Sequence, residues 1–144
     1  MFKLKKIFNK HNNAPELEEQ KISYDSIGER EKIYVLEEGS LAHRPLYEPD
    51  VRIYYLCCGE VQEFDDSRVT ECFRITPDMI FETSSTDTSA PNAGDKFKLI
   101  SEEDRKGYSK VAKAEAEDTS DGFFVNVDDW YRTKKVLVRF HCTQ

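Results

Sequence analysis

Residues 51–58 read V-R-I-Y-Y-L-C-C, and no other stretch constrains the fold as strongly. β-Branched and aromatic residues crowd the run, and it is too short for an ordinary helix. In an extended chain successive side chains point to opposite faces. Val51, Ile53, Tyr55 and Cys57 therefore line one face, and Arg52, Tyr54, Leu56 and Cys58 line the other. Gly59 ends the run with a bend or bulge. Two further extended runs, 60–64 and 69–75, flank Asp65-Asp66-Ser67, a pattern that predicts a hairpin.

The same rhythm of short apolar runs and turn residues continues along the chain. Ile33-Tyr34-Val35-Leu36 stops at Glu37-Glu38-Gly39, and residues 79–83, 96–100, 123–128 and 135–142 read as further strands. Pro45 and Pro49 make 40–50 a loop. Residues 84–95 are Ser, Thr, Asp, Ala, Pro, Asn and Gly, a second loop whose composition offers nothing to a core. Helical signals occur in two places. Ser101 before three acids is a helix-start pattern, and Tyr108, Val111 and Ala112 fall at helical spacing, which predicts a helix near 108–117. The fold class is thus mostly β, with α+β as the variant: seven or eight short strands in an antiparallel sandwich or open barrel, with one or two short helices. No internal repeat is visible. Residues 98–104 resemble the core of the myc epitope tag over seven positions in mid-chain, which carries no functional meaning.

Charge divides the chain unequally. The first twelve residues hold Lys3, Lys5, Lys6 and Lys10 and no acid, whereas the rest holds 17 basic and 28 acidic side chains. Residues 1–21 read as a basic N-terminal segment and an acidic linker, and 22–144 as a single β-rich domain. On a helix Leu4, Ile7 and Phe8 would share a face among lysines, so residues 2–10 suit a weak contact with a membrane surface, and the competing reading is a frayed or locally docked terminus. Their apolar stretch is shorter than the roughly 7–15 residues of a secretory core segment. No apolar run approaches the roughly 18 residues needed to span a bilayer. Together with four cysteines (Cys57, Cys58, Cys72, Cys142) that form no C-x-x-C and sit mostly in apolar runs, this predicts a cytoplasmic setting and core thiols.

Motifs that carry chemistry are missing. There is no Gly-rich phosphate loop, no G-x-S-x-G and no H-E-x-x-H. His141 adjoins Cys142 on a predicted strand, where neighbours point apart, and the acidic clusters fall in turns. The expectation is a chain with no enzymatic activity, cofactor or metal. An acidic body repels phosphate backbones, which disfavours nucleic acid, and attracts a basic protein. The residues proposed for that contact are the turn acids Asp65 and Asp66, the acid–aromatic cluster Asp128, Asp129, Trp130 and Tyr131, and the loop pair His43 and Arg44. The resulting functional reading is a protein–protein binding module of the inhibitor or immunity type. The alternative is a small-molecule or lipid-binding β-barrel, suggested by aromatic-rich strands.

Overall fold

The computed structural model describes residues 2–7, 16–23, 28–42, 53–85, 90–100, 107–114, 123–126 and 135–141. Twelve strands and no helix occur among them. In chain order these are β1 (Lys3–Ile7), β2 (Glu18–Ile22), β3 (Ile33–Glu37), β4 (Ser40–Ala42), β5 (Ile53–Cys57), β6 (Gln62–Glu63), β7 (Arg68–Arg74), β8 (Met79–Ser85), β9 (Lys96–Leu99), β10 (Lys110–Lys113), β11 (Phe123–Asn126) and β12 (Val136–His141). The chain is therefore mostly β, as its patterning implies.

The strands close into two small five-stranded barrels. The first runs β2-β4-β3-β5-β7 and returns to β2; the second runs β8-β10-β9-β11-β12 and returns to β8. β6 continues the edge of β7 that β5 leaves, and β1 continues the edge of β8 that β10 leaves. The β5-to-β6 step is a bulge: the amides of Cys58 and Gly59 both donate to the Glu71 carbonyl, at 2.9 and 3.3 Å. Closure leaves few free strand edges, the usual liability of a small sheet.

The two barrels are structural repeats of each other. Counted in chain order within each barrel, both have strand order 1-3-2-4-5. Strands 1 and 3 are parallel and every other neighbouring pair is antiparallel. Their registers agree as well. If the parallel pair Lys21–Ser40 is set on Ser84–Lys110, then Leu36–Leu41 falls on Leu99–Val111 and Tyr34–Tyr55 on Phe97–Phe124. Tyr55–Arg74 then falls on Phe124–Phe140, and Glu18–Cys72 on Phe81–Val138, so the ladder closes on strand 1 at the offset from which it started. The equivalent residues are mostly different; what recurs is an apolar side chain at five inward positions, Tyr34/Phe97, Leu36/Leu99, Leu41/Val111, Tyr55/Phe124 and Cys72/Val138. The sequence reading missed the repeat for that reason, since an alternation of period two looks alike in any half-buried strand.

Each barrel has its own filling, and one cluster joins them. Ile22, Tyr34, Leu41, Tyr55, Cys57 and Cys72 pack inside the first barrel, with Leu36, Ile53 and Val61 against them. A larger cluster holds Phe81, Phe97, Leu99, Val111, Phe124, Val136, Val138 and Phe140 of the second barrel together with Ile33, Val35, Tyr54, Leu56 and Phe73 from the outer face of the first. The alternation read from 51–58 is thus correct over β5, and both of its faces are buried. Tyr54 meets Phe140 at 5.3 Å between ring centroids. The backbone also crosses over: Ile33 and Tyr108 exchange two amide–carbonyl hydrogen bonds of 2.9 Å each.

Three expectations fail for identifiable reasons. The helix near 108–117 is instead an isolated bridge at Tyr108 followed by β10, because Val111 is drawn into the second barrel and pairs with Leu99. Long-range pairing overrides a helical spacing that only three residues support. The start signal at Ser101 and residues 115–117 lie outside the described residues. The N-terminal segment forms β1 and not a helix, and part of the acidic linker forms β2. These two strands, with the short β4 and with β10, raise the number from seven or eight to twelve among the described residues.

Phe2 is fully buried and plugs the second barrel. Its ring stacks on Phe124 at 5.7 Å and meets Phe81 edge-on at 6.3 Å, and its amide donates to the Glu31 carbonyl at 2.8 Å. Behind it Lys5 lies 3.4 Å and Lys135 lies 3.5 Å from the Glu82 carboxylate, tying β1 and the start of β12 to β8. Desolvation pushes the Glu82 carboxyl up, but the two ammonium groups outweigh it and hold it below the usual range. Tyr34 serves a similar end in the first barrel. Its hydroxyl accepts the amides of Gly28 at 2.8 Å and Glu29 at 3.0 Å, and burial pushes its ionisation above that of a free phenol. Gly107 lies flat on the Tyr34 ring with φ +95°; a Cβ there would stand 2.7 Å from the ring.

Replacing Phe2 with Ala should cost about 3–5 kcal/mol, measured as the loss in urea-unfolding free energy. Tyr34→Phe should cost about 1–3 kcal/mol by leaving the buried Gly28 amide and the half-buried Glu29 amide without an acceptor; a loss under a few tenths in the same assay would contradict that role for the hydroxyl.

Candidate functional site

A groove of about 520 Å³ lies at one end of the first barrel. Three elements build it. The end of β2 supplies Lys21, Ile22 and Ser23; the β3–β4 turn and β4 supply Glu37, Glu38, Ser40 and Ala42; the start of β7 supplies Asp66, Ser67 and Arg68. It opens where β2 and β4 pair in parallel over only two residues, Lys21–Ser40 and Ile22–Leu41, before the strands part. The β3–β4 turn is a two-residue loop with φ +52° at Glu38 and +83° at Gly39, the left-handed pair that matches strand twist in tight hairpins.

Arg68 organises the groove. One terminal nitrogen of its guanidinium donates to the Ser23 carbonyl at 3.0 Å, and its Nε lies 3.4 Å from a Glu63 carboxylate oxygen. The guanidinium is largely buried while Glu63 is exposed. It therefore braces the end of β2 against the β6–β7 hairpin. The groove lining mixes two cations, three carboxylates and three hydroxyls, a surface suited to a polar, water-exposed partner and not to an apolar ligand.

The β6–β7 hairpin also walls a second depression of about 280 Å³, lined by Glu19, Gly59, Glu60, Val61, Gln62, Val69, Thr70 and Glu71. Its three carboxylates do not converge: no three His, Cys, Asp or Glu side chains gather as a metal-ligand set among the described residues. At the hairpin tip the Phe64 amide donates to the Ser67 carbonyl at 2.8 Å, closing a two-residue turn at Asp65 and Asp66. Phe64 is 58% exposed, one of two large apolar side chains that stand out into solvent among the described residues; the other is Leu17. Between residues 60 and 71 the sequence carries five acids and one base.

Of the residues that sequence reading offered for partner contact, Asp65 and Asp66 are exposed on this hairpin, and Asp66 lines the groove. His43, Arg44, Asp128, Asp129, Trp130 and Tyr131 lie outside the described residues. Sequence reading missed Phe64, Lys21, Glu37, Glu38 and Arg68. Phe64 was within reach: an aromatic residue directly before Asp-Asp in a hairpin turn has no core to enter. The groove was not, because it depends on which strands become neighbours.

No protein-family model matches the chain, and no curated protein or solved structure matches it. No helix among the described residues is long and apolar enough to cross a membrane.

Arg68→Met keeps the stem and removes the charged donor. It should lower stability by about 1–3 kcal/mol in urea unfolding, the range for a hydrogen bond from a charged group. Unchanged stability would mean that the guanidinium does not brace β2.

Proposed function

We propose that the chain is a non-enzymatic protein-binding module of the inhibitor or immunity type, which engages a basic protein through the β6–β7 hairpin and the groove beside it. The observation that carries this reading is Phe64: an aromatic ring more than half exposed, at the tip of a two-residue turn, flanked by Glu63, Asp65 and Asp66. Aromatic side chains are the usual energetic anchors of protein interfaces. The surrounding carboxylates select for a partner rich in Lys and Arg and raise the rate of encounter at low salt. Charge outside the first twelve residues, 17 basic against 28 acidic side chains, acts in the same direction at long range.

The barrel interiors favour this reading over carriage of a small molecule. Tyr34 and Tyr55 fill the first, and Phe81, Phe97, Phe124 and Phe140 fill the second, so a ligand would have to displace the core. The surface is where the unoccupied chemistry lies.

The test uses the full chain as bait in host extract, beside Phe64→Ala and a double Asp65→Asn, Asp66→Asn variant. A basic protein should be retained in stoichiometric amount by the native chain. Phe64→Ala should weaken that complex roughly 30-fold, about 2 kcal/mol, and the double variant should slow association and flatten its salt dependence. Absence of a stoichiometric partner, or a complex indifferent to Phe64 and to salt, would overturn the proposal.

A further inference from the structure

We propose that Cys57 and Cys72 form a cross-strand disulfide of the first barrel, closed while the chain folds and not on the finished barrel. The two residues are direct partners in the β5–β7 ladder. Hydrogen bonds from the Ile75 amide to the Tyr54 carbonyl and from the Cys58 amide to the Glu71 carbonyl, both 2.9 Å, set the phase of that ladder. Counting from either, Cys57 and Cys72 occupy a non-hydrogen-bonded position, where antiparallel strands come closest. Opposed α-carbons at such positions stand about 4.5 Å apart, within the roughly 4.4–6.8 Å that a disulfide spans. Both side chains point into the same barrel interior, both are fully buried, and both are free thiols.

The fold also determines which cysteines pair. Cys58 follows Cys57 in the chain but faces the other way, against the cluster shared with the second barrel. Adjacent cysteines on one strand cannot both meet Cys72, so alternation singles out Cys57. This reading goes beyond core thiols, because a buried small hydrophobe has no need to sit opposite another cysteine at a ladder position that permits a bond.

The chemistry is thiol–disulfide exchange with a low-molecular-weight disulfide such as oxidised glutathione. One cysteine thiolate attacks a sulfur of the reagent and expels one glutathione thiolate, leaving a mixed disulfide. The other cysteine gives its proton to water, attacks the protein-bound sulfur and expels the second thiolate. Two cysteine thiols are oxidised by two electrons, and one glutathione disulfide is reduced to two thiols. The finished barrel resists this reaction. Burial pushes the Cys57 thiol far up and Cys72 up to about 12, so thiolate is scarce, and Tyr34, Leu41 and Tyr55 fill the space a reagent would need. Thr70 and the Glu18 carbonyl offer the two thiols their only polar company among the contacts described, the Glu18 carbonyl lying 3.7 Å from the Cys72 sulfur. In the unfolded chain both thiols are ordinary, and hairpin formation brings them together.

The experiment compares two routes with a Cys58→Ser, Cys142→Ser chain in one glutathione buffer of fixed redox ratio. One sample is reduced, unfolded and refolded in the buffer; the other is folded first and then exposed to it. The refolded sample should lose two hydrogens by intact mass, yield a peptide linking Cys57 to Cys72, and melt higher than its reduced form by on the order of 5–10 °C, since the bond closes a loop of about 15 residues. The prefolded sample should cross-link at least tenfold more slowly. A native-like refolded protein with both thiols free, one carrying separate glutathione adducts, or a linked form that melts lower than the reduced one would overturn the proposal. So would equal rates by the two routes. The wild-type chain, never fully unfolded, serves as a second readout in the same buffer with urea below its midpoint: a Cys57–Cys72 link supports the assignment, and linkage through Cys58 or Cys142, or none, overturns it.

Discussion

The structure depends on a wall that is apolar on both sides. β3 and β5 send Tyr34, Leu36, Ile53, Tyr55 and Cys57 into the first barrel and Ile33, Val35, Tyr54 and Leu56 out of it. A five-stranded barrel of this size closes its interior without help, but it cannot leave that outer face to water at roughly 25 cal/mol per Å² of apolar surface. The second barrel is the cover. Its aromatic filling is continuous with the outer face of the first, and the Ile33–Tyr108 backbone exchange and the Phe2 plug seal the seam. The N-terminal segment belongs to this arrangement: β1 occupies the edge of β8 that β10 vacates, and Phe2 occupies the gap that leaves.

That architecture also decides where a partner can meet the molecule. Among the described residues both interiors are filled by the chain's own side chains, so the partner proposed above would meet the outer surface. There the β6–β7 hairpin follows the bulge at Cys58 and Gly59, with Phe64 at its tip and two polar concavities lined in part by its residues. The bulge offsets β6 from β5, while β7 stays paired with β2 as far as Val69. Arg68, beside the turn and paired with Glu63, donates to Ser23 and braces the hairpin tip against the end of β2. A ring held on a braced turn loses less freedom on binding than one on a loose loop, the condition under which an exposed aromatic becomes an anchor.

The repeat of the two barrels shows how little sequence a barrel of this kind needs. Glu18 and Phe81, Cys72 and Val138, and Arg74 and Phe140 occupy equivalent positions, yet strand order, direction and closing register are the same. Inward apolar character at a few positions, with turns of the right length, is enough to specify it. The remaining residues are free to diverge, and in the first barrel one pair has become two opposed cysteines.

Sequence alone determined the class of fold. Short runs rich in Val, Ile, Tyr and Phe exclude a helical protein, and the alternation in 51–58 correctly predicts the two faces of β5 because side-chain direction in a strand is a local property. The hairpin at Asp65-Asp66 was legible for the same reason, and with it one wall of the candidate site. Tertiary structure decided everything that depends on pairing. Val111 became part of a strand because Leu99 was beside it; Glu18–Ile22, polar and acidic, became a strand because β7 and β4 offered both edges; Phe2 became core because the second barrel had a hole to fill. Which strands are neighbours is settled by burial summed over the whole chain, and no window of sequence contains that sum.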